Sequence, residues 1–133
     1  LRTFLDSGIL LTGWKGKDRL LAIEVMEDER REFYTSEMVR LELLPKALYH
    51  KQTAEAEFYQ THLGRVHAEE LLSPELGREA FELGKRYGLA AMDALHIAAA
   101  IRQKVDEFIT SELPGKPLFR VKELAVRCLE HFR

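Results

Sequence analysis

Four carboxylates stand at positions where chemistry could use them. Asp93 is the only formally charged residue in the 15-residue run Tyr87–Ile101. A charge in so apolar a segment is costly unless it is paired or holds a metal ion. The plainer reading is that Asp93 caps a helix beginning at Ala94. His96 lies one helical turn further on; it can donate a hydrogen bond to Asp93 or serve simply as a satisfied core residue. Asp6 follows the short apolar run Thr3-Phe4-Leu5. In open α/β sheets the carboxyl ends of strands open onto the ligand crevice. A carboxylate there can hold a metal or cap the next helix, although Ser7 offers a cap as well. Glu112 follows a second such run, Phe108-Ile109-Thr110, and reads otherwise as a solvated turn residue. Glu42 is flanked by Leu41, Leu43 and Leu44, and Lys46 four residues on offers it a surface ion pair. An oxygen-only set suits Mg²⁺ or Mn²⁺ rather than zinc. The five histidines show no zinc-like spacing, and Cys128 is the one cysteine. No glycine-rich phosphate loop is present.

These side chains need a frame. Thr3–Leu5, Glu32–Thr35 and Phe108–Thr110 read as strands, and Val66–Leu72 as an ambiguous fourth. Ile9–Met26 is helical, broken in two by Gly13 and Gly16. Ser36 caps a helix over Glu37–His50 that Pro45 kinks. Gln52–Leu63 continues the helical pattern. Ser73-Pro74 opens a helix ending near Gly88, since Ser caps and Pro suits the first position. Ala90–Gln103 is apolar almost all round, hence a buried helix. Leu113-Pro114-Gly115 is a turn, and Lys122–Phe132 reads as a final helix. Strands alternating with helices predict an α/β three-layer sandwich with a mainly parallel central sheet.

Composition sets the outer limits. A chain of 133 residues fits one domain, 1–133. Apolar residues make up 46% and charged residues 32%, a globular balance that excludes fibrous or disordered classes. Twenty bases against 22 acids exclude a polybasic anchor. Setting the four singled-out acids aside leaves about 18 acids against 20 bases, a remaining surface near +2. Lys15, Lys17, Arg40 and Lys46 are the cations best placed for phosphate, each being equally readable as solvated face. No run reaches the ~18 apolar residues of a membrane span. The lone cysteine fits a reducing compartment, and the expected location is the cytoplasm.

The residues resemble the PIN domain family, especially its VapC-type toxin ribonucleases. Phe4-Leu5-Asp6-Ser7-Gly8-Ile9-Leu10 resembles the family's first strand with its metal-binding Asp. Thr35-Ser36 followed by Glu42 resembles its second-strand Ser with a helical Glu six residues on. Asp93-Ala94 with Ala98 resembles its Asp-Ala-x-x-x-Ala helix, and Thr110-Ser111-Glu112 its strand ending Thr-x-Asp. The four segments fall in the family's order over residues 4–112. The resemblance implies an acidic pocket of Asp6, Glu42, Asp93 and Glu112. Asp6, Asp93 and Glu42 would hold Mg²⁺ or Mn²⁺, and Ser7 and Thr110 would orient Asp6 and Glu112. It further implies hydrolysis of RNA phosphodiesters leaving a 5′-phosphate, an antitoxin partner, and a homodimer, whose interface is expected to draw on Gln52–Leu63. Glu112 stands where the family usually has Asp, which shifts the carboxylate by about one bond length. That departure keeps open an alternative, a catalytically weakened module that binds RNA or protein. A receiver-like phosphorylation domain needs an acid pair after the first strand, which this chain lacks.

Overall fold

The computed structural model describes residues 1–133. Five strands form its sheet: β1 Arg2–Leu5, β2 Glu32–Ser36, β3 Ala68–Glu70, β4 Glu107–Thr110 and β5 Ala125–Cys128. Six α-helices flank it: α1 Ser7–Lys15, α2 Arg19–Met26, α3 Glu37–Tyr49, α4 Thr53–Arg65, α5 Pro74–Tyr87 and α6 Ala91–Arg102. Short 3₁₀ turns occupy Pro117–Arg120 and Leu129–Phe132. The strand order is β3-β2-β1-β4-β5 and every pairing is parallel. This is the expected three-layer α/β fold. No helix is long and apolar enough to cross a membrane.

The order places β1 at the centre. The chain leaves β1 toward β2 and β3 on one side, then returns to build β4 and β5 on the other. The carboxyl ends of β1 and β4 therefore flank the point where the direction of winding reverses, where open sheets form their crevice. Both strands are covered by helices, so they read as apolar runs rather than alternating ones. Phe4 and Phe108, register partners, stack at 5.3 Å and 11° and are fully buried.

Most expected boundaries agree with the structure. Ser36 and Ser73 cap α3 and α5 by accepting the Val39 and Leu76 N–H groups. Gly88 closes α5 at φ 70°, a left-handed conformation that favours glycine. The ambiguous 66–72 segment contains β3. Two expectations need correction. Gly16 ends α1, but Gly13 lies inside it; a Cβ there would press on Met26 and Phe58, so this glycine brings helices together rather than breaking one. The helix expected over Lys122–Phe132 is instead β5 followed by a 3₁₀ turn. Its mixture of charged and apolar residues carries no decisive period. What selects the strand is the free edge of β4, against which Val126 and Cys128 pair with Phe108 and Thr110.

At the opposite end of the sheet a buried ionic knot fixes this edge. Glu107, 3% exposed, accepts from the Thr3 hydroxyl (2.6 Å), Arg31 Nε (2.7 Å) and Arg127 Nη1 (3.0 Å). Both guanidinium groups also lie over the Phe132 ring, at 5.1 and 4.3 Å. Burial alone would push the Glu107 carboxyl up, but its donors outweigh burial and hold it below the usual range. A lowered carboxylate adds stability above its unfolded pKa and loses it as pH falls through the folded value. Glu107→Gln is therefore expected to cost about 2 kcal/mol at pH 7, with the difference shrinking in acid. Urea unfolding across pH checks this; a constant difference at all pH values would exclude the ionic account.

Candidate active site

The backbone N–H of Asp6 donates to Ile109 O at 3.1 Å, extending the β1–β4 ladder by one step. Its side chain is 7% exposed, and Oδ1 accepts the Ile9 N–H at 3.2 Å, so it also caps α1. Capping and a place in the crevice are thus compatible. Burial pushes the Asp6 carboxyl up to about 6, against the lowering effects of the Thr110 hydroxyl, His96 and the Ile9 N–H; Asp93 adds repulsion. Gly8 makes room here, since a Cβ on it would collide with Ser111 Oγ and crowd Asp6 Oδ1.

Asp93 is the third residue of α6, which starts at Ala91 behind Ala90, so it is not the N-cap. A carboxylate in a first helical turn still gains from the helix dipole. Burial, then Glu112 and Glu42, raise the Asp93 carboxyl, with His96 opposing. Glu112 follows β4 and is half-buried, its N–H donating to Thr110 Oγ1 at 3.1 Å. The Thr110 hydroxyl thus serves the Asp6 carboxyl and the backbone N–H of Glu112. Ser7 differs: its hydroxyl faces Glu42.

Glu42 lies on α3 with its side chain 33% exposed. Its Oε1 is 2.6 Å from His96 Nε2. That hydrogen bond, helped by Ser7, outweighs burial and keeps the Glu42 carboxyl below the usual range. His96 is 3% exposed, packs against Phe4 at 6.2 Å, and has no partner for Nδ1. With Nε2–H donating to Glu42, a bare Nδ1 leaves one buried lone pair unmatched, which costs less than burying an unpaired N–H. Of the two readings open for His96, a bond to Asp93 or a satisfied core residue, the structure gives a buried histidine whose partner is Glu42 rather than Asp93. Sequence spacing did not reveal it, because the partners are 54 residues apart.

The four acids are electrostatically coupled around the β1–β4 crevice: Asp6 with Asp93, and Asp93 with Glu112 and Glu42. No three His, Cys, Asp or Glu side chains converge closely enough to hold an ion as they stand. The donor chemistry nonetheless fits a hard divalent cation, with carboxylate oxygens mutually disfavouring their charged forms.

The cations divide. Arg40 is committed to Glu69 by two hydrogen bonds of 3.0 and 2.9 Å. Lys46 makes no ion pair with Glu42, since His96 holds that carboxylate. Lys15 and Lys46 line a cavity of about 700 Å³ that Glu42 also borders. Lys17 is exposed in the turn between α1 and α2.

A family model described as PIN domain matches residues 3–112. No curated protein sequence matches the chain. Among solved structures, VapBC2 from Rickettsia felis bound to a promoter DNA fragment is similar at a TM-score of 0.71 and 16% identity, covering 96% of this chain and 98% of that one. VapC20 from Mycobacterium tuberculosis, described as a sarcin-ricin loop cleaving toxin, gives 0.68 and 16% over 92% and 98%. VapBC-1 from nontypeable Haemophilus influenzae gives 0.68 and 16% over 98% and 99%. At such identities the likeness is one of fold.

Proposed function

This chain belongs to the PIN domain family, and from that membership we propose that it is a metal-dependent endoribonuclease, the toxin of a toxin–antitoxin pair acting in the cytoplasm. One observation carries the reading: Asp6 and Glu112 follow the two strands between which the sheet reverses its winding, and burial and mutual repulsion push Asp6 to about 6 and Asp93 upward. Such a cluster is destabilised by its own charge and relieved by a cation.

Asp6, Asp93 and Glu42 would hold Mg²⁺ or Mn²⁺. The ion would supply water activation and neutralisation of charge on the scissile phosphate and leaving oxygen. The chain's own residues supply the positioning. The Ile9 N–H and the Thr110 hydroxyl fix the Asp6 carboxylate. His96 and Ser7 fix Glu42 and keep it ionised, so it can accept a hydrogen bond from the attacking water. Glu112, which repels Asp93, would reach the same crevice from the end of β4. Lys15 and Lys46, with Lys17 nearby, would hold RNA phosphates, whereas Arg40 is held by Glu69. Total cellular RNA incubated with the protein and Mn²⁺ should be cut, and should survive in EDTA. Intact RNA in both arms would sink the nuclease reading. The clasp of His96 on Glu42 and the presence of Glu112 favour one alternative, a PIN module that binds RNA or a partner without cutting.

A further solved structure of similar fold is a toxin–antitoxin complex from Klebsiella pneumoniae, and an antitoxin is the proposed protein partner here. A homodimer is proposed as well, but not through the 52–63 segment. The outward face of α4 carries Thr53, Glu57, Gln60 and Thr61, whereas α3 exposes Leu41, Pro45 and Leu48 at helical spacing, with Tyr49 beside them. An apolar stripe is the better self-complementary surface. Light scattering should give a dimer for the parent and a monomer for Leu41→Glu/Leu48→Glu; a parent monomer at micromolar concentration would remove the proposal.

A further inference from the structure

The cavity beside Glu42 is a separate feature from the carboxylate cluster. Helix α1 begins at the Asp6 cap and runs nine residues to Lys15. At 1.5 Å per residue, Trp14 lies about 12 Å along the helix from Asp6. The cavity opens there, between α1, α3 and α4, with a volume of about 700 Å³. Trp14 is half-buried and packs against Phe58 at 5.7 Å and 44°, and it also lines this cavity. Lys15 and Lys46 line it too, and Glu42 joins it to the acidic crevice.

The charges of the lining are unequal in availability. The Glu42 carboxylate is held by His96, and that of Glu55 by the Tyr59 hydroxyl at 2.6 Å. Neither Lys15 nor Lys46 takes part in any ion pair of the fold. Two unpaired cations beside a partly exposed indole, continuous with a crevice proposed to take a phosphodiester, complement a nucleotide. Cations take its phosphate, and aromatic faces take its base whatever the sequence.

We propose that this groove holds a nucleotide of single-stranded RNA adjacent to the cleaved bond, with its base stacked on Trp14 and its phosphate between Lys15 and Lys46. The proposal rests on the ribonuclease reading and deepens it: it specifies an unpaired strand, since a duplex keeps its base faces stacked inside.

Trp14 is the one tryptophan of the chain, so its emission reports this groove alone. The test titrates the intact protein in EDTA with a ten-nucleotide single-stranded RNA, following tryptophan emission and the anisotropy of end-labelled RNA together. Cleavage with Mn²⁺ is assayed in parallel. Saturable quenching with the same midpoint as the anisotropy is expected. Duplex RNA of the same length should not quench. Lys15→Gln/Lys46→Gln should weaken binding about 10-fold or more, and flatten the log–log salt slope by about 0.7, one single-strand phosphate contact. Trp14→Leu should weaken binding by about 10- to 100-fold. RNA binding with unchanged emission would overturn the proposal and leave the groove to a protein partner, and this reading needs no variant to fold. Equal affinity in parent and Lys15→Gln/Lys46→Gln overturns it too. If no RNA binds, the groove proposal falls, and the parallel assay separates the two readings: cleavage with Mn²⁺ preserves the ribonuclease, and its absence removes both.

Discussion

Asp93→Asn should bring RNA cleavage to background while leaving the metal-free protein as stable as the parent, or more so. The two halves of this result have different causes. Asparagine keeps the shape of the side chain but cannot offer a charged oxygen to a divalent cation, so the activity is lost. Stability follows from the surroundings of Asp93. It is not the N-cap of α6, and no hydrogen bond is lost with its charge. The substitution gives up a favourable interaction with the helix dipole, of about 0.3–1 kcal/mol. It gains relief from burial and from repulsion by Glu112 and Glu42, which together raise the Asp93 carboxyl despite His96. A carboxyl raised in the fold destabilises it at pH values where the group is ionised, and not in acid where it is protonated in both states. Any advantage of the variant should therefore be seen at neutral pH and fade in acid. Added Mn²⁺ supplies the decisive comparison. An ion at 100 times its dissociation constant stabilises the state that binds it by about 2.7 kcal/mol. The parent melt should rise accordingly, and Asp93→Asn should lose most of that rise. An equal metal-induced shift in both would show that Asp93 is not a ligand.

The fold and the acids were legible in the sequence for one reason: both lie on elements whose pattern is local. Phe4-Leu5 and Phe108-Ile109 are apolar runs that stop at a polar residue, and in a parallel sheet buried on both faces that pattern marks a strand and its carboxyl end. Asp6 and Glu112 follow directly. Asp93 stood out because every neighbour is uncharged. What escaped was set by contacts between distant segments. β5 exists because β4 has an edge to fill, and the Ala125–Cys128 sequence does not announce it. The His96–Glu42 bond joins α6 to α3, and it takes the place of both local pairings the spacing allowed, Glu42 with Lys46 and His96 with Asp93. Gly13 read as a breaker because its reason, the approach of Met26 and Phe58, lies on other helices.

Asp6 gives the sharpest dependence on pH. Its carboxyl is pushed to about 6 in the fold from an ordinary 3.8, chiefly by burial. The folded state therefore binds the proton more tightly than the unfolded one between these values. The stability from that proton is fully present below pH 3.8 and is lost as pH rises through about 6. At pH 7 without metal, the ionised group opposes folding by about 3 kcal/mol, because a tenfold change in proton affinity is worth about 1.4 kcal/mol. Asparagine caps a helix as well as aspartate, so Asp6→Asn can retain the bond to the Ile9 N–H. The metal-free variant should then melt about 10 °C above the parent at pH 7. The gain should vanish near pH 4, where the parent carries its proton. Saturating Mn²⁺ should narrow or reverse the order, because the ion relieves in the parent the repulsion that the variant lacks. A variant less stable than the parent at pH 7 without metal would mean that the Asp6 charge serves the α1 cap more than burial opposes it, and Asp6 would then be a structural residue rather than a strained ligand.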